Sequence, residues 1–106
     1  MTDKKMLEGK VAVVTGAASA NGIGKGTAAL LANHGARVVI VDLDEKAAAA
    51  AAADIGSGHV GLACDVTDRV ACERVAQETL KRLGRVDVLV NNAGVTQPLR
   101  LADIGL

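Results

Sequence analysis

Residues 11–24 read VAVVTGAASANGIG, an apolar run that leads directly into a glycine-rich segment. The run at 11–14 is apolar without alternation, which is typical of a strand covered on both faces of its sheet. A segment of helical character follows at 22–33, and Gly35 stands where a helix C′ glycine belongs. This stretch therefore predicts a buried strand, a tight turn and a helix in immediate succession.

The same succession continues along the chain. Three more apolar runs predict strands at 38–41, 59–63 and 86–90. Strands that alternate with helices at this spacing pair in parallel through right-handed crossovers. We therefore predict an α/β fold with four parallel strands and three crossover helices, and as part of a doubly wound Rossmann fold these strands are expected in the order 3-2-1-4. No linker divides residues 1–106, which are predicted to form one unit.

Composition and capping residues predict the two later helices. Residues 44–54 include seven consecutive alanines, and alanine is the best helix former, so we expect a surface helix that lies close on the sheet. Asp44 is its predicted N-cap. Residues 67–83 place apolar side chains along one side of a helix, with Thr67 able to cap its start and Gly84 able to end it.

The composition argues against several classes of protein. Among 106 residues, 12 Lys and Arg balance 12 Asp and Glu, and there is no Phe, Trp or Tyr. A neutral chain lacks the basic excess that nucleic-acid or anionic-membrane partners require, and it has no aromatic platform for stacking bases. No run approaches the roughly 18 apolar residues of a membrane span, and no signal peptide is recognised, so we expect a cytoplasmic protein.

The cysteines and histidines predict neither a disulfide framework nor a metal site. Cys64 and Cys72 are eight residues apart, which matches neither disulfide-rich nor zinc-binding patterns, and we interpret them as buried, reduced thiols. His34 and His59 share no cluster with these cysteines, so metal binding is not expected.

The glycine-rich segment has the character of a phosphate-binding loop. Gly16, Gly22 and Gly24 permit a tight turn and close approach of the backbone to a ligand. The helix that follows presents unpaired N–H groups and a partial positive charge to a pyrophosphate. Ser19 and Asn21 are the candidates for side-chain contacts. The alternative is a structural strand-to-helix turn without a ligand.

Lys25 is not the lysine of a Walker-type loop. Such a loop needs glycine at position 19 and serine or threonine at position 26, where the chain has Ser19 and Gly26. Lys25 is therefore predicted to be a solvated residue of the helix.

Acidic residues follow two of the predicted strands. Asp42 closes the second strand, where a carboxylate accepts hydrogen bonds from both ribose hydroxyls of an adenosine and repels a 2′-phosphate. This favours NAD over NADP, with an ordinary helix N-cap as the alternative, for which Asp44 competes. Asp65 follows the third strand and either receives the adenine amino group or caps the next helix, where Thr67 and Asp68 compete.

Together these residues resemble the short-chain dehydrogenase/reductase family over essentially the whole chain. The VNNAG segment that follows the fourth strand is the most specific of the matching elements. The matching stretches are LEGKVAVVTG at 7–16, GIG at 22–24, Asp42, DV at 65–66 and VNNAG at 90–94.

The resemblance implies how these positions hold a dinucleotide cofactor. Residues 92–94 would pass alongside its ribose, residues 65–66 would frame the adenine, and Leu43 would follow the ribose-binding Asp42. Asn91 would tie neighbouring strands together. The predicted cofactor-binding residues, in chain order, are Gly16, Ser19, Asn21, Gly22, Ile23, Gly24, Asp42, Leu43, Asp65, Val66, Asn92, Ala93 and Gly94.

Two departures from the family pattern qualify what the resemblance implies. Five residues, 17–21, separate the first two glycines of the loop, where the family usually has three. The family transfers hydride between a nicotinamide and an alcohol or carbonyl, and its serine, tyrosine and lysine would all lie beyond the fourth strand. We therefore expect the N-terminal, NAD-binding part of a Rossmann domain, truncated after strand four, without a substrate pocket and not catalytic alone.

Two alternatives belong to other functional classes. A Rossmann-like methyltransferase that binds S-adenosylmethionine also has a glycine loop and acidic residues at strand ends, but Thr15 stands where it generally has an acid. A non-enzymatic, self-associating module would use the apolar strand at 86–90, which forms the edge of the predicted sheet. Members of the resembled family are usually homo-oligomers, which is consistent with self-association.

Overall fold

The structure is a computed structural model, and it describes residues 6–18 and 22–91. Strands and helices alternate through these residues, and their ends lie within two residues of the predicted ones. In chain order the elements are β1 (Val11–Thr15), α1 (Ile23–Asn33), β2 (Arg37–Asp42), α2 (Glu45–Ile55), β3 (Val60–Ala63), α3 (Arg69–Leu83) and β4 (Val88–Asn91).

The strands form one parallel sheet in the order β3-β2-β1-β4, which confirms the predicted topology. Val13 of β1 is aligned with Val39 of β2 on one side and with Leu89 of β4 on the other. The direction of progression reverses at β1, because β2 and β3 extend to one side and β4 lies on the other. Open α/β sheets bind ligands at the carboxyl ends of their strands, beside such a reversal.

Helices cover both faces of the sheet. Val14, Val38 and Ile40 are buried on one face, where they pack with alanines of α1 and α2. The alternate strand residues, including Val39, point to the opposite face and pack with Val75 of α3. Successive side chains of a strand point to opposite faces, so strands covered twice must be apolar throughout. This explains why the runs in the sequence show no alternation.

α2 lies in backbone contact with β3. Ala48, Ala51 and Ala52 are buried against the sheet, as predicted for the alanine run. A Cβ placed on Gly61 of β3 would lie 2.3 Å from the carbonyl carbon of Ala48. Alanine on the helix and glycine on the strand therefore set the distance between these two elements.

Two helix ends agree with the expected signals. The Asp44 carboxylate accepts hydrogen bonds from the N–H groups of Lys46 and Ala47 at 3.0 and 3.4 Å, so it caps α2. Gly84 ends α3 with a φ of +82°, a left-handed conformation that glycine adopts at little cost.

The prediction that Thr67 caps α3 is wrong. The helix begins at Arg69, and Asp68 is its N-cap, accepting hydrogen bonds from the Val70 N–H at 3.0 Å and from the next amide at 3.3 Å. Thr67 instead donates its N–H and its hydroxyl to the Asp65 carboxylate, at 2.9 and 2.6 Å. Residues 65–67 thus form a separate turn before the helix.

β4 begins at Val88 rather than at residue 86. The N–H of Asp87 donates to the carbonyl of Val11 at 2.8 Å, and its carboxylate accepts the Val11 N–H at 2.9 Å. Arg85 donates to the same carboxylate at 2.7 Å. The hydrogen bond from Arg85, and then that from Val11, lowers the pKa of Asp87. Asp87 thus contacts β1 through both its backbone and its side chain, just before the strand pairing begins at Val88.

Candidate functional site

The carboxyl edge of the sheet brings together Gly16, Asp42 and Asp65, which lie at or just after the ends of the first three strands. β1 ends at Thr15, which is aligned with Val41 of β2. β2 ends at Asp42, which is aligned with Ala63 of β3. The segments that follow these strands therefore leave the sheet side by side, next to the point where the strand order reverses at β1.

Gly16 begins the turn that leaves β1. Its φ is +67°, which L side chains rarely adopt, so the position requires glycine. Its N–H donates to the carbonyl of Val41 at 2.8 Å. This amide is therefore engaged with β2, and the contribution of Gly16 is to hold the turn against the neighbouring strand.

The N-terminus of α1 carries no side-chain cap. Gly22 is the N-cap in an extended conformation, and the first turn contains no acidic residue. Gly24 is buried, while the Ile23 side chain is 82% exposed. Backbone N–H groups and the positive end of the helix dipole favour an anion at such a terminus.

Asp42 lies beside the turn that begins at Gly16, and its carboxylate does not stabilise the fold. Its side chain is half-buried, and within residues 6–18 and 22–91 it has no hydrogen-bond or ion-pair partner. Because Asp44 caps α2, the alternative that Asp42 is the N-cap is wrong. Leu43, between these two residues, is 73% exposed.

Asp65 and Val66 lie in the turn between β3 and α3. The Asp65 carboxylate accepts both hydrogen bonds from Thr67, and these lower the pKa of the exposed Asp65. Asp65 therefore stabilises this turn and is not the cap of α3. The Val66 carbonyl accepts a hydrogen bond from the Cys72 thiol at 3.5 Å. The N–H of Cys64 donates to the Asp42 carbonyl at 2.8 Å, which joins this turn to β2.

Asn91 joins β4 to β1, the role that the resemblance implies for it. The Thr15 hydroxyl donates to the Asn91 side-chain oxygen at 3.1 Å and also lies 3.4 Å from the Val90 carbonyl. No role was predicted for Thr15, although a hydroxyl at the end of β1 is a signal for such a link. The other predicted binding residues, Ser19, Asn21, Asn92, Ala93 and Gly94, lie outside the described residues.

The environment of Lys25 differs from the expected one. Its side chain is only 18% exposed, and its ammonium group pairs with the Asp54 carboxylate of α2. This hydrogen bond and charge lower the pKa of Asp54. Lys25 thus connects the first turn of α1 to the end of α2, a contact between residues 29 positions apart that local sequence does not signal.

Within residues 6–18 and 22–91, no group of three or more His, Cys, Asp or Glu is placed to hold a metal ion. In the same part of the chain, no helix has both the length and the apolar character needed to span a bilayer.

A family model described as Enoyl-(Acyl carrier protein) reductase matches residues 16–105. A short-chain type dehydrogenase/reductase of Sinorhizobium fredii is 48% identical over 103 residues, which cover 93% of this chain and 41% of the relative. D-threitol dehydrogenase of Mycolicibacterium smegmatis is 47% identical over 94 residues, which cover 86% of this chain and 35% of the relative. The chain thus spans about two fifths of the length of these relatives.

Solved structures show the same likeness. A 3-ketoacyl-(acyl-carrier-protein) reductase of Brucella melitensis, complexed with NADH, aligns with a TM-score of 0.73 and 41% identity over 78% of this chain and 33% of that protein. A hydroxysteroid dehydrogenase of Escherichia coli aligns with a TM-score of 0.80 and 36% identity over 95% of this chain and 43% of that protein.

The fold, the family model and these relatives together define the class of protein. The chain belongs to the short-chain dehydrogenase/reductase family, whose members matched here are oxidoreductases. This confirms the resemblance drawn from the glycine turn, the acidic strand ends and the VNNAG segment. The methyltransferase alternative is not favoured by it. The relatives are named for different substrates, so the family does not identify one for this chain.

Proposed function

We propose that this chain supplies the adenosine- and pyrophosphate-binding part of an NAD site in a short-chain dehydrogenase/reductase. The proposed cofactor-binding residues are those predicted from the sequence, with Asp42 on the adenosine ribose and residues 65–66 beside the adenine. Residues 1–106 are proposed to form the N-terminal, dinucleotide-binding part of the Rossmann domain. Support comes from the Brucella melitensis relative, whose structure is a complex with NADH.

The observation that carries this proposal is the state of Asp42. Its carboxylate is half-buried at the end of β2, has no partner in the described part of the chain, and is relieved of capping α2 by Asp44. The Gly16–Val41 hydrogen bond holds the glycine turn directly beside it. An acceptor-only group beside the uncapped N-terminus of α1 suits a ligand that carries hydroxyls next to a pyrophosphate.

The same carboxylate supports NAD rather than NADP. Asp42 accepts hydrogen bonds from the 2′- and 3′-hydroxyls of a ribose, but it repels the doubly charged phosphate that replaces the 2′-hydroxyl in NADP. Asp44 and Glu45 follow within three positions, which adds negative charge to this side of the site. Lys46 comes next and offsets one of these charges, so the preference for NAD rests on Asp42 itself.

The proposed activity of the whole enzyme is hydride transfer between NAD(H) and an alcohol or carbonyl substrate. The bound nicotinamide would supply the hydride donor or acceptor. The residues of this chain bind and orient the adenosine end, while the chain contains no tyrosine to serve as the proton donor that the family resemblance implies. We therefore propose that these 106 residues bind the cofactor without turnover on their own.

Isothermal titration calorimetry with NAD, AMP and NADP tests the proposal. We expect NAD and AMP to bind at millimolar or lower concentration, and NADP to bind at least about tenfold more weakly than NAD. Asp42→Asn should weaken NAD binding about tenfold, because it replaces a charged acceptor of hydrogen bonds from the ribose. Glu45→Gln removes the same charge three positions away, from an exposed side chain that caps nothing, and should change NAD affinity less than twofold.

The outcomes of this titration separate the parts of the proposal. Absence of NAD and AMP binding at millimolar nucleotide contradicts the cofactor site itself. Equal affinity for NAD and NADP leaves a dinucleotide site but contradicts the preference for NAD. Tighter binding of S-adenosylmethionine than of NAD would favour the methyltransferase alternative instead.

Self-association through β4 is proposed as well. Within the described residues β4 pairs with β1 alone, and its Leu89 side chain is 54% exposed. An apolar strand with one unpaired edge can add the equivalent strand of a second copy. Sedimentation velocity should show dimers at micromolar concentration, and Leu89→Lys should shift them to monomers. A monomer at all concentrations, with cooperative unfolding, contradicts this proposal.

The proposed compartment is the cytoplasm. The chain's two cysteines, eight residues apart, match no disulfide framework, as is usual in a reducing environment. Fractionation of cells that express a tagged chain tests this location, and recovery with an oxidising compartment contradicts it.

A further inference from the structure

Cys64 and Cys72 lie in contact across the junction of β3 and α3. Their sulfurs are 3.8 Å apart, with the Cys64 thiol donating to the Cys72 sulfur. Cys64 follows β3 and is buried, whereas Cys72 lies in the first turn of α3 and is half-buried. They are the only cysteines of the sequence. The family assignment and the proposed nucleotide site give neither of them a role.

The distance between the sulfurs is short enough for a bond to form with a small movement. A disulfide requires about 2.05 Å between sulfurs, so the two atoms must approach by about 1.7 Å. The Cys64 backbone is held to β2 by its N–H bond to the Asp42 carbonyl. The approach therefore falls on the Cys72 side chain and the first turn of α3, which the sheet holds less directly.

The two thiols differ in their reactivity towards an oxidant. Burial, and then the hydrogen bond with Cys72, raises the pKa of Cys64 to about 11, and the nearby Asp65 and Asp68 act in the same direction. Thiolate is the reactive form, so Cys64 is a poor first nucleophile at neutral pH. Cys72 is the more exposed of the two and reaches an oxidant first.

We propose that Cys64 and Cys72 form a redox-sensitive pair that hydrogen peroxide converts into an intramolecular disulfide. The Cys72 thiolate attacks one peroxide oxygen, the O–O bond breaks, and the leaving oxygen departs as water after protonation, leaving a sulfenic acid. The Cys64 sulfur then attacks the Cys72 sulfur and displaces the sulfenic oxygen as a second water. The two thiols lose two electrons and two protons in total, and the peroxide is reduced to two waters.

The bond would act on the turn that carries Asp65 and Val66. The Cys72 thiol donates to the Val66 carbonyl in the reduced chain, and oxidation removes that donor. The disulfide also ties both ends of the 64–72 segment and draws them together. This effect rests on the proposed function. Oxidation is expected to weaken NAD binding by at least about threefold, which is the effect of one lost or misplaced hydrogen bond.

Mass spectrometry of the full chain tests bond formation independently of any nucleotide. After hydrogen peroxide and alkylation of free thiols, we expect a mass about 2 Da lower, no alkylated cysteine, and a peptide cross-linked between Cys64 and Cys72, all reversed by dithiothreitol. The double variant C64A/C72A retains both methionines and reports peroxide effects that do not involve thiols. In C64A, Cys72 should be found as sulfenic or sulfinic acid.

A displaced thiol provides the matched geometric control. C72A/A76C keeps two cysteines but moves one of them a full helical turn, about 6 Å, along α3 to an exposed position. We expect this variant to form the internal bond at least about tenfold more slowly than the natural pair. Equal rates, disulfides mainly between chains, or two alkylatable thiols after peroxide would each overturn the proposal.

Calorimetry with NAD on the reduced and oxidised chains tests the effect on the site. Weaker binding to the oxidised chain, restored by dithiothreitol and absent in C64A/C72A, supports it. Equal affinity of both forms overturns the effect on binding but not the disulfide. If the reduced chain binds no NAD, the proposed function fails, and the mass result still decides whether the cysteines form a redox pair.

Discussion

Substitution of Gly61 by alanine should destabilise the protein, whereas the same methyl addition at Gly26 should not. The added Cβ would lie 2.3 Å from the Ala48 carbonyl carbon and 2.4 Å from the adjacent carbonyl oxygen and amide nitrogen. Ordinary contacts begin near 3.4 Å, so α2 must withdraw from β3 by about 1 Å. All three atoms belong to helix backbone, which cannot rotate away as a side chain does.

The expected loss follows from what α2 buries. Moving the helix loosens the contacts of Ala48, Ala51 and Ala52 with the sheet, and overpacking a well-packed interior typically costs about 1–3 kcal/mol. With rigid backbone as the obstacle, we expect the upper end, about 3 kcal/mol. In a domain of about 100 residues this corresponds to a melting temperature lower by more than about 10 °C.

Gly26→Ala in α1 is the matched control, because it adds the same methyl where nothing lies within 4 Å. Removing a glycine from a helix interior stabilises by about 0.5–1 kcal/mol, so the two variants should move in opposite directions. Unfolding is followed by far-UV circular dichroism, since the chain has no Trp or Tyr to report by fluorescence. If Gly61→Ala unfolds at the same denaturant concentration as Gly26→Ala, the close approach of α2 to β3 is refuted.

The other predictions concern capping and pH. Asp68→Ala should cost about 1 kcal/mol by removing the α3 N-cap, measured by urea unfolding, whereas Thr67→Ala leaves that cap intact; an equal loss in both would contradict the assignment. Burial, and then the charge of Arg37, lowers the pKa of His59 below 6.5. Its Nδ1 accepts the Val38 N–H, so stability should be full above pH 6.5 and fall below it, a slope in melting temperature that His59→Gln should abolish. Asp87 has a lowered pKa as well, so its contribution should be full above pH 3.8 and fall as the pH drops through the lowered pKa; Asp87→Asn should be less stable at neutral pH, and this part of the acid titration should be missing from its stability curve.

The sheet was predictable because strands that are buried on both faces consist almost entirely of apolar residues. Val38, Val39, Ile40 and Val41 cannot form a half-solvated strand or a surface helix, so a central parallel strand is the simplest solution. The alternation with helices makes the strands parallel, and their order, with β1 between β2 and β4, is that of the Rossmann fold, which the glycine turn after β1 indicates. The start of β4 was less predictable, because Val86 continues the apolar pattern while long-range bonds from Asp87 to β1 decide where pairing begins.

The candidate site was predictable where chemistry is local and ambiguous where several residues compete. The glycine turn and the unpartnered Asp42 follow from strand ends alone. Between β3 and α3, however, Asp65, Thr67 and Asp68 all have capping side chains within four positions, and only the backbone path assigns the cap to Asp68. The burial of Lys25 depends on its contact with Asp54, which lies in another helix, and no local sequence pattern indicates that contact.

The position of β1 between β2 and β4 has a consequence for synthesis on the ribosome. Its pairing with β2 uses residues that follow within about one helix and one turn, but the Val11 N–H is bonded to Asp87, 76 positions later. At about 5–20 residues per second, roughly 4–15 s pass between the synthesis of these two residues. During that interval one edge of the apolar strand β1 is unpaired in the nascent chain, and chaperones can bind it.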